Sequence, residues 1–190
     1  HCNSALVDQA EQGQYPEALW LLLEEQGLTT LGGFEALGGG GGDFCDALVV
    51  LREAGRYALP LPLAETLQGV SLLSSLGVGL SDGPLVIASG LFTLDADHRL
   101  VGRGTKIRFG RDAKLLLVVA QRDDQTVLCQ VPASQVEIKP GVNLAGEASD
   151  AVVIDHHVEA SNQIALTVEA VQGIEMRGAA VRSVMMAGAL

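Results

Sequence analysis

The spacing of apolar residues changes once along this chain, near Pro84, and that change constrains the fold more than any other feature. Before it, apolar residues recur at three and four positions, as one face of a helix requires. Pro16 opens a helix over Glu17–Gln26 carrying Leu19, Leu22 and Leu23, and Gly27 stops it. Asp43 is placed to cap a second helix with Phe44, Ala47, Leu48 and Leu51 on one face, ending near Gly55. Pro60 and Pro62 precede a third, with Leu63, Leu67, Val70 and Leu73 aligned and Gly77 as its stop. After Pro84 the spacing alternates. Strands are expected at Leu85–Ser89, Arg99–Val101, Thr105–Phe109, Lys114–Ala120, Thr126–Val131, Val136–Lys139, Ala151–Ile154 and Ile164–Val171, broken by polar turns such as Asp95–Asp97 and Arg122–Gln125. Helix returns at Gly173, with Ile174, Val181, Val184, Met185 and Gly188 along one stripe.

The expected fold class is therefore α+β. Residues 1–82 form an all-α domain, and residues 83–172 an antiparallel β-barrel or sandwich. Residues 173–190 are the first helix of a further helical bundle. That last helix ends apolar and without a cap, so it is expected to need more protein to pack on. The start, His1-Cys2-Asn3, lacks Met and reads as the inside of a longer polypeptide with His1 as a tag remnant.

Charge excludes one class of partner. With 23 acidic against 12 basic residues the net charge is −11, which repels a phosphate backbone, so nucleic acid is not expected. No apolar run is long enough to span a membrane. Three cysteines, Cys2, Cys45 and Cys129, are widely spaced; they read as reduced, buried thiols in a cytoplasmic protein.

Local motifs carry little chemistry. Gly38–Gly42 lacks the Lys-Ser/Thr of a phosphate loop and runs into Asp43, so it reads as a flexible interhelical turn. Gly77-Val78-Gly79 with Gly83 follows a helix and has the wrong spacing for a dinucleotide fingerprint. Asp155-His156-His157 reads as a polar loop after a strand; adjacent histidines in extended chain face opposite ways, so no metal is expected there. No activated nucleophile is visible.

Several segments, in order, resemble the acyl-CoA dehydrogenases. They are Ala18-Leu19-Trp20 to Gly27-Leu28 with Leu37-Gly38-Gly39, then Leu51-Arg52-Glu53-Ala54-Gly55-Arg56 with Pro60–Thr66. Next come Gly104-Thr105-Lys106 with Gly110–Ala113, and finally Gly178–Arg182 with Met186–Leu190. The resemblance implies FAD, an acyl-CoA thioester substrate, Cα–Cβ dehydrogenation, and electron-transfer flavoprotein or a similar acceptor. It also implies a homo- or hetero-oligomer. The catalytic base is expected beyond Leu190, so no catalytic residue is assigned. Flavin contact is expected at Ala88, Ser89, Arg108, Phe109 and Gly110. There the sequence departs from the family: Val86–Phe92 lacks the usual Thr-Glu-x-x-x-Gly-Ser loop, and Arg108-Phe109-Gly110 stands where an aromatic–aliphatic–Thr/Ser triplet is usual. Three readings follow: a flavoenzyme chain completed by its missing part, a non-catalytic subunit of a heteromeric dehydrogenase, or a β ligand-binding module with a helical appendage.

Overall fold

The structure, a computed structural model, describes residues 4–190; His1 and Cys2 lie outside them. The chain forms two compact units. One is Gly83–Gln172; the other joins the residues up to Asp82 with Gly173–Leu190.

The second of these units is helical: α1 Ser4–Glu11, α2 Glu17–Glu25, α3 Phe44–Arg56, α4 Leu63–Ser75 and α5 Val168–Ala189, whose first turn lies in the β unit. Helix α3 starts as its sequence requires. The Asp43 carboxylate accepts from the backbone N–H of Cys45 at 2.7 Å and of Asp46 at 3.1 Å, and the Asp46 side chain accepts from Asp43 N–H at 2.9 Å. This is a reciprocal capping box, worth ~1 kcal/mol. Its face buries Ala47 and Leu51 against Leu63, Leu67 and Val181, with Phe44 and Leu48 half-buried at the margin. Helix α4 is buried on nearly all sides. Helix α1 gave no periodic signal, because Ala5, Leu6 and Val7 are consecutive rather than spaced.

Helix α5 starts five residues before the expected Gly173. Thr167 Oγ1 accepts from Ala170 N–H at 3.2 Å and so starts a helix where β-branched Thr167 and Val168 had read as strand. Its expected open face is closed on one side by α3 and α4. Gln68 Nε2 donates to the Ile174 carbonyl at 2.9 Å, and Arg182 pairs with the buried Glu65. Gly55 and Gly188 let α3 and α5 touch backbone to backbone: a Cβ on Gly188 would stand 1.9 Å from the Arg52 carbonyl oxygen.

The glycine tract is not flexible. Gly32 and Gly41 share a backbone hydrogen bond, Gly40 N–H donates to Thr30 at 2.9 Å, and Gly41 N–H to Gly33 at 3.0 Å. A Cβ on Gly39 would stand 2.2 Å from the Gly33 carbonyl carbon, so two chain segments cross here without side chains.

The β unit holds one sheet of eight strands: β1 Leu85–Ala88, β2 Leu91–Leu94, β3 Arg99–Arg108, β4 Leu115–Arg122, β5 Gln125–Pro132, β6 Glu137–Lys139, β7 Ser149–His157 and β8 Gln163–Ala165. The order is β6-β7-β3-β2-β4-β5-β8, with β1 beside β4. The expected all-antiparallel pairing is corrected in two places. Strand β1 runs parallel to β4, from Leu85↔Leu115 to Ala88↔Val118, and β2 joins the same strand further along at Thr93↔Gln121. Only Ser89 and Gly90 separate β1 from β2. Glycines make that break possible: a Cβ on Gly90 would stand 2.6 Å from the Arg103 carbonyl oxygen, and one on Gly102 2.1 Å from that of Leu91. Strand β3 is continuous where two strands were expected, since pairing with β2 and β7 carries it through Gly102–Gly104. A bulge follows, with Lys106 at φ 59°.

Candidate functional site

The residues expected at the flavin fall into two groups. Ala88 ends β1 fully buried, while Ser89 is exposed in the break that follows, its carbonyl facing Gly104. Arg108, Phe109 and Gly110 lie at the far end of β3, roughly 10 Å further along at ~3.3 Å per residue. Phe109 sits in the left-handed region (φ 53°), which turns its ring into the β core. It is 6% exposed and shares that core with Ala88. Gly110 is buried and begins a short 3-10 turn, Gly110–Asp112. The Arg108 guanidinium is 2.7 Å from Glu147 Oε1, with its Cζ 6.0 Å from the Phe109 ring centroid. Of these residues only Ser89 offers an exposed polar group. The fit to an isoalloxazine ring is poor: the one aromatic is spent on the core and the one charge on Glu147.

What sequence reasoning missed is the acidic pair that occupies this end of the sheet. Asp150 on β7 is fully buried. It receives Arg111 Nε at 2.9 Å, Arg111 N–H at 2.7 Å and Gly141 N–H at 3.0 Å. Arg111 also donates to the Gly141 carbonyl. Around Asn143 a tight turn forms, its Oδ1 accepting from Ala145 and Glu147 N–H and its Nδ2 donating to Glu147 Oε2 at 2.7 Å. Glu147 and Asp150 lie 39 residues from Arg108 and Arg111, and nothing local in the sequence marks them as partners.

Asp112 stands beside this network. Burial pushes its carboxyl up to about 6; Arg111 pulls it down less, and Asp150 adds to the rise. A carboxyl whose folded value lies above its unfolded one holds extra protons in the folded state, so it costs stability as pH rises through that window. Asp112→Asn is therefore expected to gain stability relative to wild type as pH rises from about 4 to about 6. Parallel thermal melts that keep the same gap at every pH would contradict this.

Two other motifs are settled by geometry. Asp155-His156-His157 lies within β7 rather than in a loop, and Asp155 is paired bidentately to Arg99 at 2.7 and 2.8 Å. Cys129 is buried, its thiol pushed up to about 11 by burial, whereas Cys45 is exposed in the first turn of α3, contrary to expectation.

Comparison with known proteins now bears on the whole. The family model described as "Acyl-CoA dehydrogenase, N-terminal domain" matches residues 3–77. "Acyl-CoA dehydrogenase IpdE2" of Mycobacterium tuberculosis is 39% identical over 93 residues, which are 46% of this chain and 29% of that protein. Sequence likeness to the acyl-CoA dehydrogenases is thus carried by the N-terminal helical part of the chain. Solved structures extend the likeness, as fold, through the β unit. The ChsE4-ChsE5 complex from Mycobacterium tuberculosis aligns with a TM-score of 0.80 at 20% identity, covering 92% of this chain and 54% of that one. A Tcur3481-Tcur3483 steroid ACAD variant gives 0.78 at 22% identity, covering 95% and 56%. KijD3 in complex with FMN and a dTDP-sugar gives 0.69 at 16% identity, covering 90% and 54%. The chain thus spans under a third of its curated relative and about half of the solved chains. Among the described residues no helix is long and apolar enough to cross a membrane.

Proposed function

We propose that this chain is a subunit of a heteromeric acyl-CoA dehydrogenase whose flavin is held mainly by the unlike subunit. The reaction is Cα–Cβ dehydrogenation of a CoA thioester, with FAD as the assembly's cofactor and electron-transfer flavoprotein or a similar carrier as acceptor. The observation that carries this reading is the end of β3, where Phe109 is buried in the β core and Arg108 is held by Glu147. Neither group is free to meet a flavin ring. Two of the similar structures are of paired proteins, which supports assembly from unlike chains. The free thiols at Cys45 and Cys129 fit a reducing, cytoplasmic setting.

A net charge of −11 adds no long-range attraction for an anionic cofactor, so absent local contacts are not compensated. The chain's part is structural: its helices and sheet shape and dry the assembly, and the acyl-CoA and its base are positioned elsewhere.

The test is flavin absorbance per chain, for this protein alone and co-expressed with a second acyl-CoA dehydrogenase-type subunit, followed by dye reduction with a panel of acyl-CoAs. Alone, the chain should carry no stoichiometric flavin and turn over no thioester. One flavin bound per isolated chain would restore the reading in which this chain is itself the flavoenzyme.

A further inference from the structure

The outer face of the β unit leaves one arginine unanswered. Along β3, Arg99 and Arg103 lie four residues apart and both are exposed. Arg99 is matched across the sheet by Asp155. Arg103 is flanked instead by Leu91 on β2 and Val153 on β7. Among the described residues no side chain pairs with its guanidinium. Leu91 is 77% exposed and Val101, two residues before Arg103, 41%. In a chain with 23 acidic and 12 basic residues, an unpaired arginine set among exposed aliphatics is conspicuous. Arginine ringed by apolar surface has the composition of an interface anchor.

The chain itself carries a complementary ridge. Helix α2 exposes Leu21 (55%), with Glu17 four residues before it and Glu25 four residues after, both exposed. Neither carboxylate has a side-chain partner among the described residues. Four residues of helix rise about 6 Å, and two residues of strand rise about 6.6 Å. Leu21 can therefore lie on Val101 and Leu91 while a flanking glutamate reaches Arg103. The helix has nine residues, about 13 Å at ~1.5 Å each, which matches the length of about four residues of strand. The surroundings agree in sign: residues 8–46 hold Asp8, Glu11, Glu17, Glu24, Glu25, Glu35, Asp43 and Asp46 and not one Lys or Arg.

We propose that the Leu91–Val101–Arg103 face of one copy docks the Glu17–Leu21–Glu25 ridge of a second copy. The contact joins two different patches, so it is heterologous and leaves each copy with a free ridge or a free face. It is small, and belongs to the weak class of interfaces. It stands apart from the flavin reading, because it involves none of the residues at the end of β3.

Sedimentation equilibrium over a wide concentration range tests it. Wild type should self-associate weakly, and less at high salt. Arg103→Glu should lower the association constant about tenfold or more, as should Glu17→Arg combined with Glu25→Arg; all three reversals together should recover most of the loss. Arg103→Met, which keeps the apolar stem, should also weaken association, which separates loss of charge from misfolding. A wild type that stays monomeric throughout, or association that the reversals leave unchanged, overturns the proposal. So does failure of the triple variant to recover while its circular dichroism is native. Flavin content is read on the same samples and should not change with any variant.

Discussion

Gly188→Ala is expected to destabilise the protein by about 1–3 kcal/mol, although alanine is the better helix former, by up to ~1 kcal/mol in a helix interior and less in a last turn such as this. The sign follows from space. The new Cβ would stand 1.9 Å from the Arg52 carbonyl oxygen and 3.1 Å from Arg56 N, both backbone atoms that cannot swing aside. The opposing glycine behaves alike: a Cβ on Gly55 would meet the Met185 carbonyl oxygen at 2.1 Å. Either substitution lifts the end of α5 from α3, so Gly55→Ala with Gly188→Ala should cost little more than one alone. Urea unfolding of the two single variants and the double checks this. Fully additive losses would mean that the two glycines do not share one contact.

Asp150→Ala is expected to cost about 3–5 kcal/mol, the largest single effect among the described polar residues. Its carboxylate is fully buried and answers the Arg111 guanidinium and two backbone N–H groups at once. Without it, the guanidinium, about 30% exposed, can turn toward water. The N–H groups of Arg111 and Gly141 cannot, and each stranded donor costs about 1–3 kcal/mol. Asp150→Asn keeps one acceptor oxygen and should lose less. Equal losses from the two substitutions in equilibrium unfolding would show that packing, not hydrogen bonding, sets the value of this side chain.

How far the sequence reached depends on how far apart the interacting residues lie. The α3 start was legible because Asp43 caps through residues two and three positions on. The core faces of α3 and α4 were legible because helical spacing writes them locally. The start of α5 was not, because Thr167 and Val168 favour strand until the Thr167 hydroxyl is seen to cap. Strand β2 was missed because only two residues, Ser89 and Gly90, separate it from β1. Its parallel register on β4 depends on residues far along the chain. At the end of β3 the resemblance set Arg108-Phe109-Gly110 apart from the triplet usual in the family. It could not show why: Phe109 turns inward only through a left-handed backbone, and Arg108 finds its partner 39 residues later.

The helical core is assembled from segments on either side of the β unit, and that imposes an order during synthesis. Val181, fully buried among Ala47, Leu51, Leu63 and Leu67, leaves the ribosome long after them. At ~5–20 residues per second, the interval between Asp82 and Val181 is roughly 5–20 s. Throughout it the nascent α3–α4 pair has an apolar face without its final cover, while Gly83–Gln172, continuous in sequence, can close on itself. The α3–α4 pair is thus made before the sheet and covered after it, and a holdase acting on this chain would find a longer-lived target at Leu51–Leu67 than in the sheet.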